Sequence, residues 1–559
     1  MKQRGKQLSK RQEAQKHQGN RPLPRIRPWY LLVAAVLCAV IVVAYWPAMH
    51  GDFLWDDDDY VSNNQNLRSV EGLRSIWLER SATPQYYPLV HTSFWLEYQL
   101  WGLSTVGYHI TNLALHIAAA FVLWRVLLFL SVPGAWLVAA IFAVHPVHVE
   151  SVAWITERKN VLSAVFYLSA MLAYLQFALG STDGMNGRKR KWLYAAACAL
   201  FLLALLSKTV TATLPAALLI LITWKRRHVA SRDIWPLLPL FVAGIAMGLM
   251  TAWIEEFGVG AQGLDWQLSP LQRCLIAGRA LWFYAGKLIW PNHLTFIYPR
   301  WHIDTTNPIL FAFPLAALAT LAGLWVARHR IGMGPIVAVS LFIVTLTPAL
   351  GFFNVFPMRY SFVADHFQYL ASISLIALGV AVAMHLMSKW APAHPGLPGA
   401  AGALLILVLA TLTWRQCHAY TDQESLWRDT IAKDPNSWMG HNAIGALLGR
   451  RGELADAEWH YREAIRDNPD FASAHFNLGG LLANQGRFTE AIPQMREDVR
   501  LEPYSALSFL NLARALLLTG QTGEAIIVLQ QAAATWPNEP VFRELLNSAL
   551  AAQRQAIVR

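Results

Sequence analysis

PWYLLVAAVLCAVIVVAYWPAMHGDFLWDDDDY, residues 28–60, holds in one stretch the two features that decide the fold: an uncharged apolar run and, at its far end, Asp56, Asp57, Asp58 and Asp59. A hydrocarbon core about 30 Å thick takes about 20 apolar residues per helix. Residues 29–47 therefore read as a membrane span that delivers four carboxylates to its distal side. Upstream, residues 1–28 carry nine basic side chains (Lys2, Arg4, Lys6, Lys10, Arg11, Lys16, Arg21, Arg25, Arg27) against the single acid Glu13. A basic tail directly before an apolar run is retained in the cytoplasm, and no clean small-residue cleavage site follows, so the run reads as an uncleaved anchor. Most of the net charge of +11 lies in this tail, which removes the nucleic-acid reading that a pI near 9.5 invites.

The rest of the chain extends the pattern. Over 559 residues, 55% are hydrophobic and 14% charged, well below the ~25% charged residues of soluble domains. Cys38 and Cys198 lie inside apolar runs and Cys274 and Cys417 at the ends of others, which is no disulfide framework. Further runs fall at 109–130, 134–149, 161–179, 192–206, 209–224, 235–254, 308–327, 333–352, 367–387 and 400–417. The run 273–290, flanked by Trp282, Trp290, Tyr298 and Trp301, suits an interfacial or re-entrant helix. Leaving it out keeps Arg188–Lys191, Lys225–Arg227 and Arg328 with Arg330 on the cytoplasmic side. The expectation is an all-α polytopic bundle of about eleven crossings, with 51–108, 150–160 and 353–366 facing outward together.

A second architecture follows. Pro435, Pro469, Pro503 and Pro537 recur every 34 residues, and Gly445, Gly479 and Ala513, Ala457, Ala491 and Ala525, and Tyr461, Met495 and Leu529 keep the same step. This is the tetratricopeptide period, a helix–turn–helix unit stacking into an α-solenoid. About three and a half units fit from Gln423 onward, beginning with a lone helix near 424–432. The expected domains are a basic tail 1–28, a transmembrane domain 29–418 with outer loop 51–108, and a repeat domain 419–559. The repeats read as a surface for a protein or peptide, with a solubilising cap as the alternative.

Chemistry concentrates in the outer segments. Four adjacent carboxylates repel one another, which raises at least one pKa towards a general base, and oxygen ligands from Asp56, Asp57 and Asp58 could hold a divalent cation. A solvated acidic turn is the alternative, and Trp55 and Tyr60 beside it argue against that. His145, His148 and Glu150 lie at one helix end and Glu157, Arg158 and Lys159 at the next start. Lys208 interrupts two apolar runs, and Arg359, Asp365 and His366 precede another span. Ionisable groups at that depth are usually functional or paired. The spacing of His145 and His148 lacks a third and fourth zinc ligand.

Taken together, Phe53-Leu-Trp-Asp-Asp57, Tyr87-Pro-Leu89 with Phe94, Tyr108-His-Ile-Thr-Asn-Leu-Ala-Leu-His116, Phe142-Ala-Val-His-Pro-Val-His-Val-Glu150, Ser207-Lys208 and Ala364-Asp-His-Phe-Gln-Tyr-Leu370 resemble the transmembrane and tetratricopeptide-repeat O-mannosyltransferases. These belong to the GT-C glycosyltransferases, and the chain resembles a bacterial-type member over nearly all of 29–559. The family usually has an acid followed by Arg where this chain has Asp365-His366, and its repeat arrays are longer. The resemblance implies transfer of mannose or another hexose from a polyprenyl-phosphate donor to a protein Ser/Thr hydroxyl, by inverting single displacement. Asp56 or Asp57 would be the base. Arg158, Lys208 and Arg359 would hold the phosphate, with His145, His148, Glu150, Asp365 and His366 as further site residues. No cofactor is required, although Mg or Mn at the acidic cluster is open. The expected setting is a bacterial inner membrane with periplasmic repeats, or an endoplasmic reticulum with lumenal ones. Alternatives are a lipid-pyrophosphate-dependent oligosaccharyltransferase, a membrane scaffold presenting the repeats, and a transporter. The transporter fits badly, because no inverted halves are visible.

Overall fold

The computed structural model describes residues 28–558 apart from 181–185, 229, 391, 393 and 395. The basic tail, with its nine charges, therefore lies outside the described residues. Among those described, every regular element is helical. The chain divides into two compact units, one ending at Gln423 and the other beginning at Glu424.

Among the described residues of the first unit, eight helices are long and apolar enough to cross a membrane: Leu31–His50, Thr105–Phe129, Ile155–Leu179, Gly187–Ser207, Ser231–Val259, Ile309–Ile331, Ser372–Trp390 and Leu397–Tyr420. Each matches one of the apolar runs in the sequence, and the protein is an integral membrane protein. The other three runs are also helical but bent or short. Ala135–Val144 and Pro146–Ala153 form one run bent by 57°. The bend is chemical: Pro146 has no N–H to donate and forces His145 into extended backbone (ψ 127°). Leu214–Arg226 follows a short turn of 3-10 helix at Thr209–Thr213, and Gly334–Leu346 runs into another at Thr347–Ala349.

The helix Pro270–Ile289, capped by Ser269 and Gln272 against each other's backbone, is 20 residues long but carries Arg273, Arg279 and Lys287 and is not among the eight. Arg273 is committed to the outer segment, donating to Gly351 O at 2.8 Å and Asn354 Oδ1 at 2.7 Å. The 21-residue helix Gly187–Ser207 is about 30 Å long, so it separates the basic group Arg188–Lys191 from Lys208 by a membrane thickness.

The second unit repeats one packing event. Helix pairs Trp438–Arg451 with Leu454–Asp467, Ala472–Asn484 with Phe488–Leu501, and Ala506–Leu518 with Thr522–Thr535 are followed by Pro540–Val558. A Cβ on Gly445 would lie 2.8 Å from the Tyr461 ring, and one on Gly479 2.9 Å from Met495 Cγ. The missing side chain is what lets the two helices of a pair touch, which explains the period in the sequence. Gly452, Gly486 and Gly520 turn each pair at φ of +83°, +75° and +74°, the left-handed region in which glycine is unstrained.

Candidate functional site

Two neighbouring cavities meet at the ends of the spans that carry Lys208 and Glu255. One, of about 260 Å³, is walled by aromatic and acidic side chains: Trp55, Asp56, Asp59, Tyr60, Glu150, Trp154, Glu157, Phe296 and Tyr360. The other, of about 390 Å³, is mostly apolar (Val210, Phe241, Ile245, Leu249, Ala349 and Phe353 among others) but is closed at one end by Lys159, Asn160, Lys208 and Glu255. Gln85, Lys159, Pro357, His366 and Phe367 line both. The segments 51–108, 150–160 and 353–366 do converge here, joined by Val259, Phe296 and Ile297.

The acidic run splits by direction. Asp57 is fully buried. Its carboxylate accepts Leu54 N–H at 2.8 Å, Thr156 N–H at 2.7 Å and the Thr156 hydroxyl, tying the loop to the start of Ile155–Leu179. Burial pushes its carboxyl up to about 7 despite those donors. Asp57 therefore positions its neighbours and does not face the cavity. Trp55 sits at φ +41°, a region costing about 1–3 kcal/mol for a non-glycine residue. The strain is held by Asp57 on one side and by Trp154 Nε1, which donates to Leu54 O at 3.2 Å, on the other. It turns Trp55 onto Phe296 (ring centroids 5.2 Å apart) and exposes Asp56 to the cavity. Burial raises the Asp56 pKa, while Lys159 and His366 pull it down and Glu157 and Asp59 push it up.

Asp58 accepts the Ser62 hydroxyl at 2.7 Å. Asp56, Asp57 and Asp58 thus point in three directions and do not fit the metal site the sequence suggested. Among the described residues no group of three His, Cys, Asp or Glu could hold a metal ion.

The cations are reassigned as well. Lys208 Nζ donates to Glu157 Oε2 at 3.2 Å and Asn160 Oδ1 at 2.8 Å, and Lys159 Nζ lies 3.0 Å from Glu157 Oε1. Both lysines therefore share one carboxylate at the cavity junction. Arg158 does not join them. It is fully buried, and its guanidinium is spent on Asn112 Oδ1, Ser93 Oγ (3.2 Å), both Glu97 oxygens (2.8 and 3.1 Å) and Tyr108 O (2.9 Å). Arg359 Nε stands 3.5 Å from Asp265 and lines neither cavity. His366 does line both. Its Nδ1 lies 2.9 Å from Glu150 Oε1 and its Nε2 3.9 Å from Glu157 Oε1. Asp365 turns away to accept the Tyr298 hydroxyl at 3.1 Å.

His145 and His148 also leave the site, for a backbone reason. The break at Pro146 strips helical partners from the carbonyls before it, and buried carbonyls need donors. His148 Nδ1 serves Phe142 O at 2.7 Å, His116 Nε2 serves Ala143 O at 3.0 Å, and the Thr413 hydroxyl donates to Val144 O at 2.8 Å. His145 Nε2 lies 3.1 Å from Leu288 O, at the end of Pro270–Ile289.

Comparison with known proteins finds relatives for both units. Residues 442–506 match the family model described as a tetratricopeptide repeat. Protein O-mannosyl-transferase F38B6.6 of Caenorhabditis elegans is 25% identical over 445 residues, covering 76% of this chain and 61% of the worm protein. Protein O-mannosyl-transferase TMTC3 of Mus musculus is 30% identical over 149 residues, 25% of this chain and 16% of that protein. TMTC4 of Mus musculus is 30% identical over 192 residues, 30% of this chain and 25% of the relative. The chain is similar in sequence to the TMTC-type protein O-mannosyl-transferases. It spans about three fifths of the worm protein's length and a smaller share of the mouse ones.

One residue of this site was not singled out from the sequence. Glu255, buried at the end of Ser231–Val259, accepts Gln85 Nε2 at 2.5 Å and Phe356 N–H at 3.0 Å. Gln85 in turn accepts the Tyr60 hydroxyl at 2.8 Å. This relay clips loop 51–108 to the spans beside the cavities. Its only signal in the sequence is the acid pair Glu255–Glu256 ending an otherwise apolar run. Lys159 was named from the sequence beside Arg158, but it is Lys159 and not Arg158 that lines the cavities.

Proposed function

We propose that this protein is a membrane glycosyltransferase that moves a single mannose, or another hexose, from a polyprenyl-phosphate donor to a Ser/Thr hydroxyl of an acceptor protein on the non-cytoplasmic side. The observation that carries the reading is the meeting of an apolar cavity and an aromatic, acidic one at Lys159 and Lys208. An isoprenoid phosphate matches the first: tail among Phe241, Ile245 and Leu249, phosphate at the lysines. A sugar and an attacking hydroxyl match the second, where aromatic faces take the ring. Its volume of about 260 Å³ is below the ~300–1,000 Å³ of drug-sized pockets, which favours one sugar over a lipid-pyrophosphate oligosaccharide.

The chemistry follows from charge placement. Asp56 accepts the proton of the acceptor hydroxyl as its oxygen attacks the anomeric carbon. The bond from that carbon to the phosphate oxygen breaks, its electron pair stays with the lipid phosphate, and the configuration inverts. The charge appearing on the phosphate meets Lys159 and Lys208, which the shared Glu157 holds in place before reaction. Asp57 fixes the turn that aims Asp56. The tetratricopeptide unit supplies a surface for the acceptor protein, and in a bacterial inner membrane the site faces the periplasm. The test is transfer of labelled mannose from polyprenyl-phosphate mannose to a Ser/Thr-containing acceptor by purified full-length protein. Labelled acceptor supports the reading. Label passing only from a lipid-pyrophosphate oligosaccharide, or from no lipid donor, refutes it.

A further inference from the structure

A third cavity, of about 630 Å³, lies deeper in the first unit, with Arg330, His385 and Trp224 at one end and otherwise mainly apolar walls. It is not independent of the apolar outer cavity. On the helical stretch 209–226, Val210 and Thr213 line the outer cavity and Ala217, Leu221 and Trp224 the deeper one. On 334–349, Gly334, Ala338, Leu341 and Thr345 line the deeper cavity and Pro348 the outer one. On Arg158–Leu179, Asn160 lines the outer cavity and Tyr167 and Met171 the deeper. Steps of three, four and seven residues keep side chains on one helix face. Three helices therefore present single continuous faces that pass from one cavity into the next, and 209–226 and 334–349 pack on each other along the way. At the passage the facing residues are Thr213, Ala217, Thr345 and Pro348, none of them long. From Pro348 to Pro335 the stripe runs about 20 Å, most of a hydrocarbon core.

We infer that the isoprenoid chain of the donor continues from the outer cavity along these faces into the deeper one, so that the protein selects long-chain donors. The inference rests on the proposed polyprenyl-phosphate reading. A phosphate at Lys159 and Lys208 places the first isoprene units against Thr209–Thr213, at the head of the stripe. The chain enters from the bilayer rather than from water, so its gain is van der Waals contact with the helix faces, and a chain reaching the deeper cavity makes contacts that one ending in the outer cavity lacks.

Two measurements on full-length protein in lipid nanodiscs test it. In the first, transfer from a farnesyl-phosphate sugar is compared with transfer from its long polyprenyl counterpart, in wild type and in Ala217→Trp and Ala338→Trp. The readout is the ratio of long- to short-donor kcat/KM, since misfolding lowers both rates together. Wild type should favour the long donor by about tenfold, the worth of about ten added carbon–carbon contacts, and the substitutions should bring the ratio close to one. An equal ratio in wild type, or a preference kept in both variants, overturns the inference. The second requires no transfer: a long polyprenyl phosphate with a photoreactive group at its far end should label peptides from 334–345 or 373–385, and unlabelled polyprenyl phosphate should compete. Label confined to 241–252, or deep label unaffected by that competitor, shows that bilayer lipid fills the deeper cavity and overturns it. Absence of transfer from every donor, with competed deep label present, counts against the transferase reading alone.

Discussion

Arg158 gives the sharpest separation between a structural and a catalytic cation. Its guanidinium is fully buried and bidentate on Glu97, with further bonds to Asn112, Ser93 and Tyr108. Arg158→Met leaves Glu97 as a buried carboxylate without its counter-charge, which costs about 3–5 kcal/mol. With an unfolding entropy of about 2 cal/mol/K per residue over a unit of about 400 residues, 4 kcal/mol lowers Tm by about 5 °C. Replacing both partners, Arg158→Met with Glu97→Leu, leaves no stranded charge and should recover most of that loss. Thermal melts of purified protein followed by tryptophan fluorescence read the stability, and sugar transfer measured well below each Tm reads the function. The expected outcome is a destabilised single variant and a rescued double variant that transfers sugar at a rate close to wild type. A double variant that melts like wild type but transfers nothing would show that the Arg158 charge serves the donor, and the reassignment to Lys159 would fail. An unshifted Tm in Arg158→Met would equally refute the burial argument.

Other consequences are as direct. Lys208→Met removes one of the two cations facing the leaving phosphate and should lower kcat/KM about 100-fold, read by donor titration. Lys159→Met removes the cation that pulls the Asp56 pKa down. Asp56 must be ionised to act, so the acid limb of the pH–rate profile should move to higher pH in that variant, and an unmoved limb would separate Lys159 from Asp56. Gly445→Val forces a side chain into the Tyr461 ring and should destabilise the repeat unit by about 1–3 kcal/mol, seen as faster proteolysis within 424–559 of the full-length chain.

The sequence disclosed what depends on period and length. Runs of about 20 apolar residues became the eight long helices, and the 34-residue step became helix pairs meeting at Gly445 and Gly479. The neighbourhood of the site was legible too, because Asp56, Glu150, Lys208 and His366 all line its cavities. Direction was not legible. Arg158 and Lys159 open one helix but differ by about 100° around it, so one enters the Glu97 cluster and the other the cavity. Asp56 and Asp57 diverge at a turn strained at Trp55, which no periodicity reports. His145 and His148 looked functional because polar groups at membrane depth are costly. His148 serves Phe142 O, a carbonyl that the bend at Pro146 leaves open, and His145 serves Leu288 O at the end of Pro270–Ile289, demands that appear only in the fold.

The central claim is that Asp56 is the base of a sugar transfer. It is tested most directly by comparing wild type with Asp56→Asn for transfer of labelled mannose from polyprenyl-phosphate mannose to a Ser/Thr acceptor, with Tm recorded for both. General-base catalysis is worth about 10²–10⁴ in rate, so Asp56→Asn should lose at least about 100-fold in kcat with an unchanged Tm. Transfer by Asp56→Asn at the wild-type rate would contradict the account.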